Sequence, residues 1–491
     1  MAPHPLTIRF TARRAAAALA ATLGLPLALG AQAAGDDVAI RSLDAKAAHY
    51  ADIAKQIWGF AELGYQETKS TALLQAELTA AGFTLKTGVA GLPTGFIASY
   101  GNGKPVIAIV GEFDALPGLS QGAVPTHAPI VAGGAGHGCG HNLFGTASVA
   151  AAIQVKEWMA ANKVTGTIRF YGTPAEEGGS GKVYMVRGGL FSDVDAVVTW
   201  HPGDRNDVSP VSNLANISAK FRFHGLSAHA AGAPDKGRSA LDGVEAMDAM
   251  VNLMREHVPQ ETRIHYVITN GGKAPNVVPD EAEVYYTVRH PDVRTLDGIW
   301  ERIINAAKGA ALGTGTTMDF EVISAVYNVM PNEYLSGIMR KQLLRVGGIT
   351  YSPAERAFAE TLRKSLQEPM LPLGSEADVQ PVREDVSYSS TDMGDVSWAV
   401  PTVQLRAATF VPGTPSHSWQ AVAAGGSSIG AKGMMVAAKT MTLTAMELFT
   451  TPSHLAKAKA EFDQRRGGFE YRSRLTREKP ALDYRRNGGG H

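Results

Sequence analysis

Three times between residues 105 and 205 an apolar run breaks off into a polar loop. "PVIAIVGEFDALPG" runs out at Glu112 and Asp114, "GTIRFYGTPAEEGG" at Glu176 and Glu177, and "DAVVTWHPGD" at His201. Short apolar runs bounded by turn residues read as strands buried on both faces. The helical spacing of the segments between them, such as "LFGTASVAAAIQVKEWMA", argues that the strands are parallel. This constrains the chain to an α/β fold, because parallel strands need crossover helices and those helices cover both faces of the sheet. In such sheets ligands gather beyond the carboxyl ends of the strands, which is where these acidic and imidazole side chains emerge.

From about Ser212 to Tyr327 the pattern changes. "NISAKFRFHG", the helical "GRSALDGVEAMDAMVNLMREH", "TRIHYVITNGG", "EAEVYYTVRH", the helical "VRTLDGIWERIINAAKGAA" and "TTMDFEVISAV" spell a βαββαβ unit, an antiparallel sheet with two helices on one face. The α/β pattern then resumes, with helices near 332 to 345 and 353 to 366, a strand in "VPTVQLRA" and a closing helix around 427 to 449. The expected organisation is a catalytic domain from 34 to 211 and 328 to 450, with helices on both faces of a mostly parallel central sheet. An α+β domain from 212 to 327 is inserted in it. The tail from 451 to 491, rich in arginine and glycine, is expected to lie on the surface or to be disordered. Residues 1 to 33 read as a signal peptide: Arg9, Arg13 and Arg14 precede an apolar run from Ala15 to Leu29, and "AQA" at 31 to 33 offers small residues for cleavage. The run is too short and alanine-rich for a good spanning helix, so the expectation is export to the periplasm or medium without a membrane anchor.

Lys+Arg and Asp+Glu balance at 46 each, and no long basic stripe appears outside the last forty residues, which argues against nucleic acid as a partner. A small neutral or anionic substrate fits this charge balance. The chain holds one cysteine, Cys139, in "GHGCGHNLFGTAS". In an oxidising compartment it has no disulfide partner within its own chain, which leaves a buried bystander, an intermolecular link or a metal ligand.

Four loops carry the chemistry: "CGH" with Cys139 and His141, "AEE" with Glu176 and Glu177, "WHPGD" with His201 and "GTPSHSWQ" with His417. Together they could hold one or two divalent ions; thiolate and imidazole suit zinc, and the carboxylates also admit manganese. Two adjacent glutamates in an irregular loop can point to different sides of one site. One then binds the ion while the other takes a proton from a water whose pKa the ion has lowered, which favours hydrolysis.

The chain resembles the amidohydrolases of peptidase family M20, subfamily D, and within it the p-aminobenzoyl-glutamate hydrolase and aminoacyl-dipeptide hydrolase groups. The resemblance runs from about residue 44 to 450 and rests on "GEFDALPGLSQ", "GHGCGHNLFGTAS", "GTPAEEGGSGK", "GLSAHAAGAPDKGRSAL", "GGKAPNVVPDEAEVYYTVR", "SSTDMGDVSWAVPT" and "GTPSHS", in family order. It implies a homodimer with two divalent ions, zinc or manganese, in each subunit. It also implies that Cys139, His141, Glu177, His201 and His417 are metal ligands, and that Glu176 is the general base. His229 would reach across the dimer to polarise the scissile carbonyl, and Asn276 and Arg289 would bind a substrate carboxylate. Asp114 and Asp392 would orient ligands or loops, and His137 matches no ligand and reads as a loop hydrogen-bonder. Many members of the subfamily carry aspartate after "CGH"; here Asn142 stands there, as asparagine does in the p-aminobenzoyl-glutamate hydrolase group. The implied activity is hydrolysis of the amide bond in N-acyl or aminoacyl amino acids with a free carboxylate. A dipeptidase acting on aminoacyl dipeptides is the alternative within that class. A solute- or metal-binding protein that has lost turnover is the alternative outside it, and the presence of Glu176 beside a full ligand set argues against it.

Overall fold

The protein is described by a computed structural model over residues 35–485. The signal-peptide expectation for residues 1 to 33 lies outside the described residues. Among them, ten strands form two sheets. The larger contains β1 (Thr84–Thr87), β2 (Phe96–Asn102), β3 (Val106–Glu112), β4 (Gly166–Thr173), β5 (Ala196–Gly203) and β10 (Thr402–Ala408), in the order β1-β2-β4-β3-β5-β10. The smaller contains β6 (Ala215–His224), β7 (Arg263–Asn270), β8 (Glu281–His290) and β9 (Thr317–Val326), in the order β7-β8-β6-β9.

Strands β3, β4, β5 and β10 run parallel, as their apolar composition predicts. Strands β1 and β2 depart from that expectation: they extend the sheet as an antiparallel edge pair. β1 carries the polar, largely exposed TLKT of an edge strand rather than an apolar run, so the sequence offered no buried-strand signal there. The smaller sheet is antiparallel throughout, and its chain order is the βαββαβ of the sequence pattern, with helices Ala240–Met254 and Val293–Thr314 packed on it.

The helix His141–Asn162 is buried at every position from His141 to Val155, lying between the large sheet and the helices Ala47–Phe60 and Ser428–Thr450. Its small residues make that possible. At Gly145 a Cβ would come within 2.8 Å of the Glu112 carbonyl, so the helix rests its first turns directly on the end of β3. One face of the sheet joins Ile107, Ile109, Phe170, Val198 and Leu405 to this helical layer. The other face, with Ala108, Val110 and Tyr171, is continuous with the core of the smaller sheet.

The tail departs most from the sequence reading. Pro452–Arg466 is a helix, and the segment after it is packed rather than loose: Leu475 is buried, Tyr471 Oη donates to Asp395 at 2.8 Å, and Phe469 stands edge-on to Trp398 at 4.8 Å. Overall arginine and glycine content masked the aromatic residues that anchor it. Among the described residues no helix is long and apolar enough to cross a membrane.

The helix Pro353–Arg363 opens with a reciprocal capping box in which Ser352 Oγ accepts from the Glu355 amide and Glu355 Oε2 accepts from the Ser352 amide at 2.7 Å. Ser428 and Lys432 donate to the same carboxylate, from 2.7 and 2.5 Å. Burial alone would raise the Glu355 pKa, but these donors hold it down to about 2 from an ordinary 4.5. A folded pKa below the unfolded one contributes stability above pH 4.5, and that contribution fades as pH falls towards 2. Glu355→Gln is expected to lose roughly 2–3 kcal/mol at neutral pH by denaturant titration. The gap to wild type should close between pH 4.5 and pH 2, and a gap that stays constant down to acid pH contradicts this account.

Candidate metal centre

Cys139 and His141 are delivered by the turn into the long buried helix. Between them Gly140 has φ 76°, and a Cβ there would come within 2.7 Å of Pro202 Cβ, so glycine is required. The turn lays Cys139 Sγ 3.4 Å from His201 Nε2 at the end of β5. His201 Nδ1 lies 2.7 Å from its neighbour's carbonyl, Pro202 O, and donating there leaves the Nε2 lone pair facing the thiol. His141 is oriented the same way: its Nδ1 lies 2.9 Å from Asp114 Oδ1, so its Nε2 faces the site. Asp114 Oδ2 also accepts the Glu177 amide at 2.9 Å, so one buried carboxylate positions two of the expected ligands.

Glu176 and Glu177 sit in a turn of irregular backbone. Ala175 has φ 56° and Ser180 φ 58°, both left-handed, and Glu177 itself has φ −72° with ψ 64°, which separates the directions of the two carboxylates. Glu67 supports this turn by accepting the Ala175 amide at 2.8 Å, while its other oxygen accepts from Thr94. Burial, then the Asp114 charge, push Glu67 up to about 8. The register of β3 with β4 sets Glu112 beside Thr173 and so next to this turn. His417 arrives from the loop after β10, with φ 59° and its amide donating to Gly138 O at 2.8 Å, and its Nε2 lies 3.1 Å from Glu177 Oε1.

Three groups of donor atoms result, each with its atoms within 4.8 Å of one another: Cys139, His141 and His201; Cys139, Glu177 and His417; Glu112, His141 and Glu176. The five ligands expected from sequence, with Glu176, are thus brought together, and the thiol belongs to two groups at once. Buried His141 Nε2, Glu177 Oε1 and both Glu112 carboxylate oxygens make no hydrogen bond of good geometry, although all lie in this cluster. Lone pairs buried against one another without well-aimed donors are costly, and a divalent cation satisfies them; a thiolate, imidazole and carboxylate set suits zinc or a neighbouring transition ion.

The charges agree. Burial alone would raise the Cys139 thiol, yet the His201 and His141 rings beside it hold it well below the ordinary thiol range. Burial, then Glu112, Glu177 and Asp392, raise Glu176 well above the usual carboxylate range, as a proton-transfer group requires. Hydrogen bonds to Cys139 and then Glu177 raise His417 to about 10. His137 is buried with Nε2 3.1 Å from Ile57 O and is pushed down to about 4 by burial, consistent with a neutral loop-bracing ring.

Sequence reasoning missed three supporting residues. Glu112 was visible only as a strand-end acid. Lys182, fully buried, lies 2.7 Å from Glu112 Oε1 and 2.7 Å from Asp392 Oδ1, and its amide donates to Asp392 Oδ2. Its signal was a lysine set among small residues just after "AEE"; Glu67 had none. Of the residues expected on the inserted unit, Arg289 lines the cleft of about 1070 Å³ in front of the centre, together with Glu176, Glu177 and His201. His229 and Asn276 do not line it; both are exposed on the small-sheet unit, joined by the Ala230 amide donating to Asn276 O at 3.0 Å.

Comparison with known proteins agrees with this geometry. Residues 211–314 match the peptidase dimerisation domain family. One of the subunits of the p-aminobenzoyl-glutamate hydrolase of Escherichia coli K12 is 42% identical over 452 residues, covering 86% of this chain and 94% of that protein. A Xaa-Arg dipeptidase of Mus musculus is 28% identical over 440 residues, covering 86% and 91%. Among solved structures, a dinuclear metal-binding M20-family peptidase from Bacillus subtilis superposes with a TM-score of 0.58 at 19% identity, covering 83% of this chain and 99% of that one. An aminobenzoyl-glutamate utilization protein from Klebsiella pneumoniae does so at 0.59 and 18%, covering 83% and 97%. With a buried cluster of metal-ligating side chains at the strand ends and a relative this similar along nearly its whole length, the chain belongs to the M20 family of metal-dependent amidohydrolases and peptidases.

Proposed function

We propose that the protein hydrolyses the amide bond of N-acyl or aminoacyl amino acids that carry a free carboxylate, substrates of the p-aminobenzoyl-glutamate type. The observation that carries this reading is the meeting of the expected ligands and Glu176 at a cleft lined by Arg289, whose side chain makes no hydrogen bond or ion pair among the described residues and whose Nε is buried unpartnered. The name of the Escherichia coli relative supports the substrate class, and that of the mouse relative supports the dipeptidase alternative.

Cys139, His141, Glu177, His201 and His417 would hold a pair of zinc or manganese ions, which when bound acidify water and polarise the scissile carbonyl. Glu176, with its raised pKa, takes the proton from the attacking water and hands it to the leaving amine. His229 Nδ1 accepts the amides of Ala231 and Gly232 at 3.2 and 3.0 Å, so the neutral ring carries its proton on Nε2 and presents a donor. A donor exposed away from its own cleft is suited to stabilise an oxyanion in a partner subunit. The dimerisation-domain match supports that pairing, as does the free edge strand β7 with exposed Val267 and Ile268. The homodimer is the first reading. The Escherichia coli relative is named as one subunit of its hydrolase, which makes a mixed assembly the second, and the mass of the purified complex separates them. The N-terminal pattern of Arg13, Arg14 and the apolar run supports export of the mature enzyme.

Elemental analysis of wild type beside Cys139→Ser, assayed on p-aminobenzoyl-glutamate and a dipeptide panel, is expected to show metal and activity lost together in the variant; a variant that keeps both removes the thiol from the site. Glu176→Gln is expected to lower kcat by about 10²–10⁴-fold with KM little changed, as loss of a general base requires. A matching fall in substrate affinity would instead make Glu176 a binding group. Subunit exchange between His229→Ala and Glu176→Gln proteins, each inactive alone, is expected to restore about a quarter of wild-type activity if His229 acts across the dimer, since half the pairs are mixed and each has one complete site. No recovery places His229 in its own subunit's site, and a His229→Ala protein that is active by itself places it outside catalysis.

A further inference from the structure

The C-terminal segment does not merely pack on the enzyme; it enters the active-site cleft. Tyr484 Oη donates to the Glu177 carbonyl at 3.1 Å, and its ring stands edge-on to Tyr65 at 5.7 Å. Gly64 gives it room, since a Cβ there would come within 2.3 Å of Tyr484 Oη. Arg485 follows and also donates to the Glu177 carbonyl, so its guanidinium stands at the rim of the metal-ligand cluster and lines the cleft. Arg485 lies over the Tyr484 ring at 5.3 Å, but no carboxylate pairs with it among the described residues and its buried Nε has no hydrogen-bond partner. On the small sheet, Arg289 lines the same cleft with its own buried Nε unpartnered.

Among the other cations of the cleft, Arg222 lies 2.9 Å from Glu283 and Arg477 is paired with Glu321; Arg383 Nε is also buried without a hydrogen bond, but it stands 3.9 Å from Asp207 and 3.8 Å from Asp385. Arg406 makes no ion pair, but it leaves no buried donor unsatisfied. A buried guanidinium N–H without an acceptor is unfavourable until something supplies one, and a carboxylate matches the guanidinium fork. Arg289 and Arg485 combine a buried, unpartnered Nε with no carboxylate at ion-pair distance among the described residues, and two such forks match two carboxylates.

We propose that Arg485 is a specificity-determining residue that binds the second, side-chain carboxylate of an acidic amino acid in the leaving group, while Arg289 takes the carboxylate next to the scissile bond. This rests on the amidohydrolase reading above and narrows it to dianionic substrates. The C-terminal segment is then a wall of the substrate site, anchored by Tyr484 and charged by Arg485.

The test uses the metal-loaded full chain with p-aminobenzoyl-glutamate and p-aminobenzoyl-glutamine, which differ only in replacing the side-chain carboxylate by a neutral carboxamide. Wild type is expected to prefer the glutamate compound in kcat/KM by about 10- to 100-fold, the range of a charge-assisted hydrogen-bond pair. Arg485→Ala should bring that ratio close to one through KM, and Arg485→Lys should recover part of it. Free glutamate as a competitive inhibitor should weaken by a similar factor, a readout independent of turnover. An unchanged ratio in Arg485→Ala overturns the assignment, as does the same loss appearing in Arg406→Met instead. Equal loss of metal and kcat on both substrates also overturns it, because Arg485 would then only position Glu177. Wild type that hydrolyses both compounds equally overturns the second-carboxylate site and leaves the amidohydrolase reading standing; wild type that hydrolyses neither removes both.

Discussion

Glu112, Asp114, Glu177 and Asp392 are buried together at the ends of neighbouring parallel strands and loops, with the Cys139 thiol among them and Glu176 at their edge. In a low-dielectric interior such a concentration of negative charge is strongly unfavourable unless cations are held within contact distance. The chain supplies one in Lys182, fully buried between Glu112 and Asp392, and imidazoles in His141, His201 and His417. Removing one partner of such a pair typically costs several kcal/mol because the remaining charge is stranded. Divalent ions held by these donors would complete the compensation. The rest of the architecture can be understood as holding these groups close enough for that neutralisation to work.

Each supporting feature serves that closeness. Gly145 lets the helix His141–Asn162 rest on the Glu112 carbonyl, and Gly140 folds the chain tightly enough to present Cys139 and His141 to the same point. Asp114 links His141 to the Glu177 amide, Glu67 holds the left-handed turn at Ala175, and the His417 amide ties its loop to that of Cys139. Ligands positioned by buried carboxylates and backbone carbonyls retain their orientation, which keeps a metal site geometrically selective. The C-terminal segment adds a second kind of coupling. It spans from the helix Pro452–Arg466 past β9, through Arg477 and Glu321, to the carbonyl of Glu177, and so connects the two sheets across the cleft.

Much of this was legible in the sequence. Apolar runs ending in acids or, for β5, in His201 predict parallel strands β3, β4 and β5 with chemistry at their ends because a strand buried on both faces must be apolar along its length. The βαββαβ order of the small sheet follows from changes in period. The edge strand β1 escaped because it faces solvent and needs no continuous apolar run; β2 lies inside the sheet with only Phe96, Ile97 and Ala98 buried, too short a run to stand out. Glu67 and Lys182 escaped because nothing local marks a side chain as buried; their role appears only once distant segments meet. The tail escaped because composition averages over a segment, whereas Phe469, Tyr471 and Tyr484 act at single positions.

By itself, then, the sequence determined the α/β class, the inserted antiparallel unit and the types of donor side chain at the strand ends, because periodicity and donor chemistry are local properties of the chain. Only the tertiary structure decided which donor atoms lie within 4.8 Å of one another, that Cys139 belongs to two such groups, that Glu112 joins a third with His141 and Glu176, that His229 and Asn276 do not line their own cleft, and that Arg485 reaches Glu177. These are distances between residues tens to hundreds of positions apart, set by strand register and helix packing, and no short stretch of sequence encodes them.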